Sequence, residues 1–228
     1  QVEVVAGDSR LLARCCIVTV PVALLQKQPL IGKSDQNQNQ HNGIRFEPDL
    51  SLAKQAALAM FRVEPATKLI YAFRPPAISS IHTSSSEEQA LPALWRKDLV
   101  YMAVGTGETA RWWTPAYGRG GPTVPCLTCY ATADRAQLLD SLPEDGALAL
   151  GLAQASALLE PPGRTSQEDA DQEPNESNWL ARHCVASKRV SWAADPWAGG
   201  GYASVSPGPG AGRAREDLAA KEWGGALL

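Results

Sequence analysis

The chain has 228 residues, enough for one large domain or one and a half small ones at about 150 residues per domain. With 44% hydrophobic and 20% charged residues it has a globular composition, neither a disordered tail nor a membrane bundle. Its 21 Lys and Arg against 24 Asp and Glu leave a net charge of −3, which excludes the broad positive field of a dedicated nucleic-acid binder.

In chain order, Cys15-Cys16-Ile17-Val18-Thr19-Val20, closed by Pro21, is an unbroken apolar run, the pattern of a strand buried on both faces. Residues 22–25 continue into a short turn or helix. Residues 26–43 are polar and rich in Gln and Asn, a surface insertion. Ser51 is placed to cap a helix running to about Met60, with Leu52, Ala56, Ala59 and Met60 at three- and four-residue steps. Residues 67–73 alternate as a strand stopped by Pro75-Pro76, and 79–92 form a Ser- and Glu-rich loop. Residues 99–104 and 123–132 are further strands. Residues 147–159 read as a helix with Leu148, Leu152, Ala155 and Leu159 on one stripe. An acidic solvated loop follows at 163–178, then a strand at 181–192 and a short helix at 213–220. The expected class is α+β (mixed α/β), a mixed β-sheet flanked by helices, with too few βαβ units for a barrel.

The chain opens at Gln1 without an initiator Met and stops at Leu228 within an apparent strand, the pattern of a fragment. No secretory leader is visible, and no apolar run reaches the about 18 residues a membrane span needs. Five cysteines leave one unpaired, which favours a reducing intracellular (cytoplasmic) interior over a disulfide framework.

Several motifs carry chemistry on paper. Gly105-Thr106-Gly107-Glu108-Thr109-Ala110 fits the dinucleotide pattern G-x-G-x-x-A, but Trp112, Trp113 and Pro115 crowd the place where a helix must start; a strand-connecting turn is the plainer reading. Cys126 and Cys129 form a lone C-x-x-C, and His183-Cys184 are the only adjacent candidates for the two further ligands a zinc would need. On a strand, positions three apart face opposite ways, so two small core residues are expected rather than a zinc or redox site. His41, His82 and His183 suggest no catalytic arrangement. The most informative stretch runs from Ser191 to Tyr202, where Trp192, Trp197 and Tyr202 surround Gly199-Gly200-Gly201. Glycines admit a flat ligand or another backbone, and aromatics can box in an amine. An ordinary packed corner and a pocket for a flat ligand or amine both remain open.

At these residues the sequence resembles the flavin-containing amine oxidases, which include polyamine oxidases, monoamine oxidases and lysine-specific histone demethylases. The match rests on Trp192-x-x-Asp195-Pro196-Trp197-x-x-Gly200-x-Tyr202, followed by Pro207-Gly208 and Asp217-Leu218-Ala219. Three segments agree in family order: residues 17–25, residues 44–50 with Lys54, and residues 67–73. The resemblance implies a substrate-binding domain at 44–190, preceded at 1–43 by the end of a Rossmann-like FAD-binding domain with the polar insertion, and followed at 191–228 by a return to that domain. It implies that Lys68 holds a water near flavin N5, that Trp192 packs near the flavin ring, and that Tyr202 and Trp197 line the substrate amine's site. Gly201 stands where some relatives carry a cysteine bonded to the flavin, so the FAD is expected to be non-covalent. The implied reaction is oxidation of a small primary or secondary, polyamine-like amine to an imine by hydride transfer, with O2 giving hydrogen peroxide. No nucleic-acid or membrane partner and no metal is implied. The family's glycine-rich FAD motif is absent, so the chain alone is expected to be inactive. A histone-demethylase type, or an interaction protein that has lost its cofactor, are the alternatives. Neither the amine nor the oligomeric state follows from these residues.

Overall fold

A computed structural model describes residues 1–27, 43–74, 102–104, 111–114, 125–159 and 179–227. The elements in order are β1 (Val2–Ala6), β2 (Ser9–Ala13), α1 (Val22–Gln26), α2 (Leu52–Met60), β3 (Phe61–Val63), β4 (Ala66–Phe73), β5 (Met102–Val104), β6 (Arg111–Trp113) and β7 (Cys126–Thr132). Then come α3 (Asp134–Ser141), α4 (Glu144–Leu158), α5 (Trp179–His183), β8 (Cys184–Ser191), β9 (Ala203–Val205), α6 (Ala214–Ala219) and a 3-10 turn at Trp223–Gly225. The class is α+β, as the pattern predicts. The chain packs as two compact units: Gln1–Glu64 with Trp192–Leu228, and Pro65–Ser191. Residues 44–64, expected to open the substrate-binding domain, pack with the first of these.

The second unit is built on a five-stranded antiparallel sheet in the order β5-β6-β7-β4-β8. Its longest interior strand, β4, is Ala-Thr-Lys-Leu-Ile-Tyr-Ala-Phe, β-branched and aromatic enough to favour a pleated surface. Leu69, Tyr71 and Phe73 all point to one side and are fully buried. Against them pack Trp112, Leu127 and Cys129 from the sheet, Ala136 and Leu139 of α3, Ala147, Leu148 and Ala155 of α4, and Leu180 of α5. α4 buries Ala147, Leu148, Gly151 and Ala155, so the expected stripe is right at Leu148 and Ala155, while Leu152 is only partly buried. Gly151 is small for a reason: a Cβ there would strike Leu69 at 2.6 Å as well as the Tyr71 hydroxyl. The strand expected at 181–192 starts only at Cys184, because residues 181–183 close α5.

The first unit is more loosely filled. β1 and β2 form a two-stranded hairpin whose Val5, Leu11 and Leu12 are exposed. β3 pairs antiparallel with β9. Residues 15–20 are not a doubly buried strand: Cys15, Ile17 and Thr19 are exposed, and the only pairing there is a one-residue bridge from Cys16 to Leu227. Apolar content alone does not bury a run when a single neighbour bonds it. α2 begins where expected, with Ser51 Oγ accepting from Lys54 N at 3.3 Å. Its buried face, however, is Lys54, Ala57 and Leu58, whereas Leu52 is 84% exposed. The lysine turns inward because the C-terminal end of α6 offers carbonyls. Lys54 Nζ donates to Leu218 O at 2.7 Å and to Ala220 O at 2.5 Å, while its alkyl stem lies along the cleft below. A polar pattern cannot reveal a lysine satisfied from 164 residues away.

Tyr71 offers a test of the second unit's core. Its hydroxyl donates to Leu148 O at 2.8 Å. Burial first, then the neighbouring Cys129 and Cys184, push its phenol far above the ordinary 10.0. Folded Tyr71 keeps its proton where the unfolded chain releases it, so this contribution to stability is complete below pH 10 and is lost as pH climbs beyond it. Tyr71→Phe is expected to cost about 1 kcal/mol at neutral pH. In urea titrations above pH 10 the variant should lose stability less steeply than the parent chain; identical alkaline slopes would contradict this placement.

Candidate functional site

Alternation along β4 sends Lys68, Ile70 and Ala72 to the face opposite the helix-packed core. Register then sets their neighbours. Lys68 lies across from Tyr130 of β7 and Val190 of β8, and Tyr130 in turn from Arg111 of β6. Lys68, Ile70, Trp113, Tyr130 and Val190 are all half-buried. Lys68 Nζ stands 5.5 Å from the centre of the Trp113 ring, and Trp113 meets Tyr130 edge to face at 6.1 Å. A cation over an indole face gains about 0.5–2 kcal/mol, more as water is excluded. This face therefore holds the Lys68 amine over the Trp113 ring in a partly dry setting. Trp113 and Tyr130 were not singled out from the sequence. Their signal is register: Tyr130 of β7 lies directly across from Lys68, and Trp113 of β6 lies across from Thr128, itself opposite Ile70, so all share one face, and register is invisible before the strands are paired.

The other residues singled out from the sequence lie in the first unit. Trp192 is half-buried; Trp197 and Tyr202 are 71% and 76% exposed. The segment turns at Asp195: its carboxylate accepts from Trp197 N at 2.8 Å and its carbonyl from Gly199 N at 2.8 Å. Beyond the turn, Gly201 N donates to Glu64 O at 2.8 Å, and Glu64 N to Tyr202 O at 3.2 Å, which fastens the backbone beside β3. The glycines here serve internal packing. Gly200 has a φ of 150°, and a Cβ on it would meet Val63 Cγ1 at 2.5 Å; one on Gly199 would meet Ala23 Cβ at 2.9 Å. Of the two uses for a glycine left open by the sequence, close approach of the chain to itself accounts for these two positions.

Beneath α1 and α2, the first unit holds an apolar cleft of about 510 Å³, walled by Val18, Val22, Phe46, Leu50, Leu58 and Leu218 among others. Cys126 and Cys129 alternate as expected: Cys129 is in the helix-packed core and Cys126 on the Lys68 face. Burial pushes the Cys126 and Cys184 thiols up, away from the thiolate that metal binding or redox exchange requires. Among the described residues no three His, Cys, Asp or Glu side chains are grouped to hold a metal. No helix of the described residues is long and apolar enough to cross a membrane. The G-x-G-x-x-A stretch at 105–110, residues 28–42 of the polar insertion, the Pro75-Pro76 stop, the loop at 79–92 and the acidic segment at 163–178 lie outside the described residues.

The chain belongs to the flavin-containing amine oxidoreductases, whose family pattern matches residues 1–227. No curated protein matches it. Among solved structures it is similar to a putrescine oxidase bound to putrescine, at 16% identity and a TM-score of 0.61, covering 97% of this chain and 37% of that one. It is equally similar to a cyclohexylamine oxidase from Brevibacterium oxydans IH-35A, at 15% identity and a TM-score of 0.61, covering 99% and 38%. At such identities the likeness establishes the fold. The chain spans under two fifths of the length of these neighbours.

Family membership implies a flavin. The residues on the Lys68 face fit one, because a half-buried amine donor flanked by aromatic rings suits a flat, acceptor-rich ring system. The Gly199-Gly200 turn does not supply a cradle, since Val63 and Ala23 already fill it. Gly200→Ala is therefore expected to destabilise the chain by about 1–3 kcal/mol in urea denaturation with no ligand added. Unchanged stability would return that turn to a ligand-binding role.

Proposed function

We propose that this chain is the substrate-binding part, with attached flavin-domain segments, of an FAD-dependent amine oxidase acting on small primary or secondary amines of the polyamine type. In this reading residues 44–190 are the substrate side, and 1–43 with 191–228 belong to the flavin side. The observation that carries the reading is the half-buried Lys68 amine on the sheet face opposite the core, in a chain of this family. The names of the neighbours, a putrescine oxidase and a cyclohexylamine oxidase, support a small amine as substrate.

When bound, FAD supplies the two-electron acceptor for oxidation of the amine, with O2 as the final oxidant. Lys68 would hold a water beside the flavin and move a proton during reoxidation. Trp192 would pack on the flavin ring. Tyr202 and Trp197, whose rings are exposed, would orient the substrate amine. Aromatic walls that exclude water favour the neutral amine, the form that can be oxidised. With Gly201 at the position of the covalent cysteine, the FAD would be held non-covalently.

Because the chain spans 37–38% of its neighbours, it is expected to bind FAD poorly and to be inactive by itself. Stoichiometric flavin absorbance in the purified 228-residue chain would contradict that. In a flavin-loaded enzyme carrying this chain, Lys68→Met should slow reoxidation by O2 about a hundredfold, the scale of a lost proton-transfer group, and leave amine-dependent flavin reduction nearly intact. Stopped-flow reoxidation at the parent rate would remove Lys68 from the chemistry.

A further inference from the structure

Asp140, in the last turn of α3, lies on the core side of the sheet, away from the Lys68 face. Its carboxylate accepts two short hydrogen bonds: Thr67 Oγ1 donates to Oδ1 at 2.7 Å and Ser191 Oγ to Oδ2 at 2.7 Å. Thr67 and Ser191 are directly paired across β4 and β8. One carboxylate thus bridges a cross-strand pair at the sheet end where the chain enters β4 and leaves β8. Thr67 is fully buried, so its hydroxyl must find its acceptor inside the protein. The same helix end is tied down again by Arg189, whose Nη1 donates to Leu139 O and Leu142 O, both at 2.7 Å. Of these ties only the Asp140 carboxylate reaches β4.

Thr67 immediately precedes Lys68. In a strand, fixing one side chain to the inner face fixes the rotation of the backbone, and with it the direction in which the next side chain leaves the outer face. We propose that Asp140 is a positioning residue for Lys68: by holding the Thr67 hydroxyl inside, it aims the lysine amine at the Trp113 ring on the far face. The proposal rests on the reading of Lys68 as the working amine, but its test does not require flavin.

The experiment uses the 228-residue chain with its lysines reductively methylated with a carbon-13 label and read by NMR. The Lys68 signal is assigned from Lys68→Arg. A methylammonium over an indole face is displaced upfield by the ring current. Asp140→Ala is expected to return the Lys68 signal most of the way to that of exposed lysines, while the amides of Leu69 and Cys129 keep their hydrogen-exchange protection. Asp140→Asn should keep the displacement, because its amide oxygen and nitrogen can each still meet a hydroxyl. An unmoved signal in Asp140→Ala, or equal losses in the two variants, would overturn the proposal. Should Asp140→Ala fail to fold, Thr67→Val, which keeps the shape and loses the donor, must return the signal toward that of exposed lysines, and an unmoved signal there overturns the proposal equally. A failure of the flavin role of Lys68 would appear in reoxidation kinetics and leave this signal untouched, so the two failures are separable.

Discussion

The two-residue period of β4 is the constraint on which the rest depends. One phase of the strand, Leu69, Tyr71 and Phe73, is sealed against three helices; the other presents Lys68 on the opposite face. A slip of one residue would bury the lysine among leucines and expose the tyrosine, and neither is tolerable. The core therefore sets the direction of Lys68: the free energy that buries Leu69 and Tyr71 is what keeps its amine pointing the other way. Asp140 and Arg189 fasten the helix end that closes this core, so packing and aim are secured by the same few contacts.

The first unit is organised differently. Its largest described cluster sets the buried Leu50, Leu58 and Leu227 against partly buried residues such as Phe46, Trp223 and Leu218. Directed bonds carry much of the order there. Glu222 receives both the backbone N–H and the hydroxyl of Ser51, capping α2 from far along the chain, and Lys54 grips the end of α6. The Trp192–Tyr202 stretch belongs to this unit and is shaped by Asp195 and by the contacts of Gly199 and Gly200 with Ala23 and Val63.

Much of the second unit was legible in the sequence, because strong alternation and long apolar helices announce themselves. β4, β7 and α4 fall where periodicity puts them, and the opposed faces of Cys126 and Cys129 follow from it. The family was legible too, through the Trp192–Tyr202 run and the order of three weaker segments. What could not be read was anything set by long-range pairing. Residues 15–20 look like a buried strand but pair only through Cys16 and Leu227 among the described residues; Leu52 looks like core but faces solvent, while Lys54 turns inward to carbonyls at the end of α6. Likewise Trp113 and Tyr130 join Lys68 only through sheet register. The short hairpin β1–β2 and the strand β9 gave no periodic signal of their own.

Under the proposed function, β4 aims the Lys68 amine at a flavin. A crystal structure of a flavin-loaded enzyme carrying this chain measures it most directly, through the distance from Lys68 Nζ to flavin N5. The account predicts that a single ordered water bridges the two atoms. A Lys68 amine turned onto a surface remote from the isoalloxazine would contradict it.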